Sequence, residues 1–181
     1  MEKVSAFLRR KDIVFSPKRY FIDAMSAMAQ GLFCTLLVGT ILNTLGTQLH
    51  IGFLTDIIVT LGKGDGAVRY TIGGLCSAMV GPGMAVAIGQ ALNAPPMVLF
   101  SLIPVGFATN AMGGAGGPLA VLFVAIIAAE IGKAVSKETK IDILVTPIVT
   151  ILSGIGAAAL IAAPIGTAAS VVGKAIMWAT E

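Results

Sequence analysis

The sequence predicts an all-α, polytopic transmembrane helical bundle of about five spans, with interfacial helices and a cytoplasmic N-terminus. Three observations carry this prediction. First, 56% of the 181 residues are hydrophobic and only 12% are charged, about half the charged share of an ordinary soluble domain. A soluble core of this length has too little interior to hide so much apolar surface. Second, the charges are bunched: between Phe21 and Ile131 they are Asp23, Asp56, Lys63, Asp65, Arg69 and Glu130. Third, there are 22 glycines against 6% aromatics, a composition suited to close helix packing in lipid.

Residues 1–20 form a basic, amphipathic opening. Arg9, Arg10, Lys11, Lys18 and Arg19 interleave there with Phe7, Leu8, Ile13, Val14 and Phe15, the pattern of a segment lying on a membrane surface. No small-residue cleavage site follows a short apolar core, so a removable signal peptide is not expected. About twenty apolar residues are needed to cross the hydrocarbon layer as a helix, and spans are expected at about 21–42, 70–92, 94–112, 118–135 and 141–164. The apolar stretch 50–61 is too short to cross and is expected at an interface or dipping partway in. Residues 165–181, with Lys174 and Trp178, read as an amphipathic C-terminal segment; a truncated further span is the alternative. Cytoplasmic loops collect Lys and Arg. With a cytoplasmic N-terminus, five crossings place Lys133, Lys137 and Lys140 on the same side, so count and charge agree.

Several function classes are excluded. Six of the 12 basic residues lie in the first nineteen positions without an aromatic platform or recognition motif, so the net charge of +3 points to membrane orientation and not to nucleic acid. Cys34 and Cys76 sit in apolar runs far apart and read as small hydrophobes. No phosphate-binding loop, dinucleotide fingerprint, zinc spacing or hydrolase triad is present. His50 has no carboxylate at catalytic spacing. No catalytic residue, cofactor or metal is expected.

Polar groups in an apolar chain mark where function is to be sought. Gly113, Gly114, Gly116 and Gly117 follow Asn110 and are closed by Pro118, a run that cannot comfortably continue a helix. Non-helical backbone at membrane depth must be buried in protein or line a wet cavity, where it would hydrogen-bond a solute together with Asn110. The competing reading is a plain turn outside the bilayer. Gly81, Pro82 and Gly83 are a candidate hinge in a broken span, against the alternative of a tolerated kink. Gln90 and Asn93 share a face if the helix persists that far, as solute ligands or as polar glue between helices. Asp23 and Glu130 are ionisable groups in spans. Arg19, four residues before Asp23, and Lys133, three after Glu130, offer each a partner at the interface instead. The small pairs Ala27/Gly31, Gly74/Ala78, Ala85/Gly89 and Gly154/Ala158 predict close helix crossings.

The run from Phe7 to Phe33, with the stretches Asn110 to Pro118 and Ala129 to Lys133, resembles a bacterial membrane family of phosphotransferase-system IIC-like permeases, also described as perfringolysin-regulator-like. The resemblance covers essentially the whole chain and is to the N-terminal half of the family's members. It implies a multi-pass domain of the bacterial cytoplasmic membrane that translocates or senses a small polar, sugar-like solute, with alternating access as the mechanism by analogy. It also implies the lipid bilayer, a second copy or complementary half, and cytosolic phosphotransferase components as partners, the last because any phosphotransfer would need other proteins. The rival expectation is a non-transporting membrane regulator or scaffold that docks a cytosolic partner through the basic tail and the 133–140 loop.

Overall fold

The computed structural model describes residues 2–180, with side chains for all of these except Glu2, Lys3, Asp65, Ala175, Ile176, Ala179 and Thr180. The amphipathic opening is helix α1 (Glu2–Arg10). It closes in a left-handed turn: Asp12 has φ 53°, Asp12 N donates to Arg9 O and Ile13 N to Leu8 O, and Ile13 is buried. This is the common way a helix satisfies its last carbonyls, and an Asp tolerates the required φ better than most residues. Pro17 then precedes α2 (Lys18–Gln48), a long helix with wider π turns at Lys18–Asp23 and Phe33–Leu37.

The apolar stretch 50–61, expected at an interface or dipping partway in, divides between two kinds of local structure. A short helix α3 (Gly52–Thr55) leads into an antiparallel pair, β1 (Val59–Leu61) and β2 (Val68–Tyr70), with Val59 opposite Tyr70 and Leu61 opposite Val68. The run Ile57-Ile58-Val59-Thr60 is β-branched throughout and favours a pleated surface. The turn that follows has Gly62 at φ 90° and Gly64 at φ 70°.

Helices α4 (Ile72–Ala78) and α5 (Val80–Ala91) meet at a 52° bend. The bend falls at Met79, not within Gly81-Pro82-Gly83. Pro82 has no N–H for the carbonyl of Ala78, and its ring displaces that carbonyl, so the break appears a turn before the proline. The two glycines lie at helix crossings. A Cβ on Gly81 would lie 2.3 Å from the Gly106 carbonyl oxygen, and one on Gly31 would lie 2.5 Å from that of Gly83. Backbone therefore meets backbone where α5 crosses its neighbours on two sides.

Three stretches are long and apolar enough to cross a membrane, Lys18–Gln48, Pro96–Val135 and Asp142–Lys174, and the bent α4–α5 pair makes a fourth if taken as one. The middle stretch doubles back on itself. It comprises α6 (Pro96–Gly113) and α7 (Gly117–Val135); at the open end of the pair Gly132 packs on Val98, and at the closed end Gly117 packs on Asn110. The last helix, α8 (Asp142–Thr180), is continuous through Pro147 and Pro164, so residues 165–180 prolong a helix and do not start one; Glu181 lies outside the described residues. Of the predicted small pairs, Ala27/Gly31, Ala85/Gly89 and Gly154/Ala158 lie at crossings, whereas Gly74 meets only the local residues Thr71 and Tyr70.

The core lies among α5, α6, α7 and α8, around the fully buried Met84, Ile88, Val98, Leu102, Val105 and Val124. Large apolar side chains such as Phe33, Phe100, Leu152 and Leu160 point outward. A helical bundle apolar both inside and outside is one built for lipid.

Candidate functional site

Two polar features adjoin at one end of this bundle. The first is a knot of charge around Lys133, in the last turn of α7. Its side chain is 1% exposed. Nζ donates to the Asp12 carbonyl at 2.7 Å and the Leu92 carbonyl at 2.8 Å, and lies 3.2 Å from Glu130 Oε2. The two carbonyls have a common origin. Leu92 ends α5 as Asp12 follows α1: Asn93 has φ 55°, Asn93 N donates to Gln90 O and Ala94 N to Gly89 O. Two helix C-termini, each carrying partial negative charge, thus converge on one ammonium. That makes a buried lysine tolerable.

Arg19 closes the knot from the first turns of α2. It donates through Nη2 to Asp12 Oδ2 at 2.6 Å and to Leu92 O at 2.7 Å. Asn93 Nδ2 donates to the same Asp12 carboxylate at 2.9 Å, and the Tyr20 hydroxyl donates to Glu130 Oε1 at 3.2 Å. The hydrogen bonds from Arg19 and Asn93 hold the Asp12 carboxyl down at about 2. Outside the knot, Lys11 reaches the Ser136 carbonyl and pairs with Glu138 at 2.6 Å, as does Arg10. The Lys11 ammonium, with Arg10 beside it, holds the Glu138 carboxyl below its usual range. A cleft of about 330 Å³ opens among Arg10, Lys11, Asp12, Asn93, Lys137 and Glu138.

The second feature is a groove of about 360 Å³ between α2 and α5. Asp23, Ser26, Ala27 and Gln30 line it from α2, at the i, i+3, i+4, i+7 spacing of one helix face. Ala87, Gln90 and Ala91 line it from α5. The alanines make the floor and the polar residues the walls. The side chains of Asp23, Ser26, Gln30 and Gln90 form no hydrogen bond or ion pair among the described residues. Carboxylate, hydroxyl and amides all face the same space with their hydrogen-bonding capacity unused.

The structure sorts the residues singled out from sequence into three places. Asp23 and Gln90 meet in the groove. Asn93 and Glu130 belong to the knot, so Gln90 and Asn93 do not share a face; the helix ends at Ala91 and the left-handed Asn93 turns the chain away. Glu130 takes Lys133 as expected, but Arg19 takes Asp12 and not Asp23. Asn110, Gly113, Gly114, Gly116 and Gly117 lie at the other end of α6. There Gly113, Gly116 and Gly117 are buried, Gly116 against Ile165, Gly166 and Ala169 of α8, and Gly114 is exposed at φ 50°. The knot residues Asp12 and Arg19, and the groove residues Ser26 and Gln30, were missed. Asp12 and Asn93 carry a readable signal, an Asp or Asn just past a helix and suited to a left-handed cap. Ser26 and Gln30 complete a polar face with Asp23 that spacing alone reveals.

A helical bundle with three or four stretches long and apolar enough to cross a membrane, apolar on its outer faces as well as in its core, is a multi-pass membrane protein. The family model described as phosphotransferase system, EIIC, matches residues 22–181; the chain belongs to that family, the multi-pass, permease component of a sugar-transport system. No curated protein and no solved structure matches it.

Proposed function

We propose that the chain is a permease-like domain of a bacterial cytoplasmic membrane that holds a small polar, sugar-like solute in the groove between α2 and α5. The observation that carries this reading is the set Asp23, Ser26, Gln30 and Gln90, unpaired and facing one space. Carboxylate and amide groups are the usual partners of sugar hydroxyls, and unpaired polar groups at membrane depth are costly unless a ligand or water satisfies them. The volume falls in the range of small-molecule sites, roughly 300–1,000 Å³. Gln30 lies eleven residues beyond Arg19, roughly 16 Å along the helix, which carries the groove toward the middle of a layer about 30 Å thick. On this reading α2, the α4–α5 pair, α6, α7 and α8 make five crossings from a cytoplasmic N-terminus. The arms of the α6–α7 hairpin, with 18 and 19 residues, are each about 27 Å long or slightly more. The knot then closes the cytoplasmic end of the groove, and alternating access requires it to loosen.

The test is solute-induced thermal stabilisation of the detergent-purified chain across a panel of hexoses, hexitols and disaccharides. One class is expected to stabilise the protein, and Gln30→Leu or Gln90→Leu to weaken that effect at least tenfold. A solute that stabilises both variants as well as the parent would overturn the assignment of the groove. The basic rim of the 330 Å³ cleft favours a second reading, a regulator that docks a cytosolic phosphotransferase component there. It predicts that charge reversal at Lys137 abolishes capture of that component while solute stabilisation is unchanged.

A further inference from the structure

On the outer side of the knot, α2 and α7 enclose a groove of about 210 Å³ lined by Tyr20, Phe21, Leu122, Phe123, Ile126 and Ile127. Its walls are hydrocarbon and ring surface throughout. The one hydroxyl among them, on Tyr20, is turned to Glu130. This groove is separate from the polar one, and nothing in solute recognition uses it. It opens sideways, where Phe21, Phe123 and Ile127 are exposed.

We propose that this groove retains the acyl chain of an anionic phospholipid, whose headgroup sits against Lys18. Three observations support that occupant. The groove lies on helices that face lipid, so an all-hydrocarbon wall there calls for a hydrocarbon guest. Leu122 to Ile127 covers about 7.5 Å of helix, half the depth of one ~15 Å leaflet, which suits the part of a chain nearest its headgroup. Lys18 precedes the lining residues Tyr20 and Phe21 by two and three positions, at the start of α2; its side chain is exposed, forms no ion pair or hydrogen bond among the described residues, and is long enough to reach a headgroup above the groove. Phe15, 75% exposed and edge-on to the Tyr20 ring with 6.3 Å between centroids, places an apolar ring beside the same site, as expected of a segment lying at a membrane interface. A zwitterionic lipid would fill the groove equally well, and the Lys18 charge is what selects an anionic one. Because the Tyr20 ring is a wall of the groove and its hydroxyl a member of the knot, the lipid also braces the turn of α2 that carries Arg19.

Native mass spectrometry of the purified full chain, after incubation with phosphatidylglycerol or phosphatidylcholine and exchange into fresh detergent, tests the proposal. The parent chain is expected to retain one phosphatidylglycerol and to hold phosphatidylcholine about fivefold less well, the preference a single interfacial lysine gives. Lys18→Gln should erase the preference while leaving retention of the neutral lipid unchanged. Ile127→Trp fills the groove from an exposed position and should abolish retention of both lipids. Equal retention of the two lipids by the parent chain would overturn the headgroup assignment. Undiminished retention by Ile127→Trp would show a loosely held surface lipid and overturn the site.

Discussion

Replacing Lys133 by Met removes one charge from the centre of the knot while nearly preserving side-chain volume. In the parent chain Nζ holds the carbonyls of Asp12 and Leu92 at 2.7 and 2.8 Å and lies 3.2 Å from Glu130. The three partners fare differently. Leu92 O keeps the Arg19 donor at 2.7 Å. Glu130 keeps the Tyr20 hydroxyl but loses the Lys133 ammonium as its ion-pair partner. The Asp12 carbonyl loses its lysine donor, about 1–3 kcal/mol if it stays buried. Breaking a buried ion pair from one side costs roughly 3–5 kcal/mol, and the surviving partners place this site at the lower end, about 3 kcal/mol. For a chain of this size each kcal/mol moves the unfolding midpoint by roughly 2–4 °C, so a fall of roughly 6–12 °C is expected in a fixed detergent. Adding Glu130→Gln should recover part of that loss, because the carboxylate left behind is the unpaired charge. Thermal unfolding followed by circular dichroism reads both effects. A Lys133→Met protein within about 2 °C of the parent, below the shift expected for 1 kcal/mol, would refute the view that this ammonium holds two helix ends together.

Two further outcomes follow from the same geometry. The Asp12 carboxyl is held at about 2 by Arg19 and Asn93 against about 3.9 in an unfolded chain. Its stabilisation is therefore present above pH about 4 and is lost as pH falls toward 2; amide-exchange protection of residues 11–13 should drop in that window and become flat with pH in Asp12→Asn. Glycine substitutions should divide by their surroundings: Gly81→Ala, whose Cβ would meet the Gly106 carbonyl at 2.3 Å, should cost about 1–3 kcal/mol in thermal unfolding, whereas Gly156→Ala, with nothing within 4 Å, should be neutral or stabilising by up to about 1 kcal/mol.

The membrane class and the helical content were legible without coordinates, because lipid as solvent imposes a composition and a run length that few other folds share. The polar residues worth attention were legible one at a time: Asp23, Gln90, Asn93 and Glu130 each stand out against an apolar background. Which of them act together was not. Gln90 and Asn93 are three apart and look paired, yet a single left-handed residue sends one into the groove and the other into the knot. Arg19 has Asp23 at the ideal helical spacing but binds Asp12, because the turn after α1 delivers that carboxylate, and the end of α5 delivers the Leu92 carbonyl, to the same guanidinium. In the glycine run 113–117, singled out from sequence as a solute loop, Gly116 lets α8 approach the turn and Gly117 lets α7 pack on Asn110, close approaches that composition alone does not assign. Local spacing and solvent preference reside in the sequence itself, whereas the convergence of two helix C-termini on Lys133 depends on three segments far apart in the chain, around Asp12, Leu92 and Lys133. Only packing brings those segments within the 3 Å over which a hydrogen bond acts.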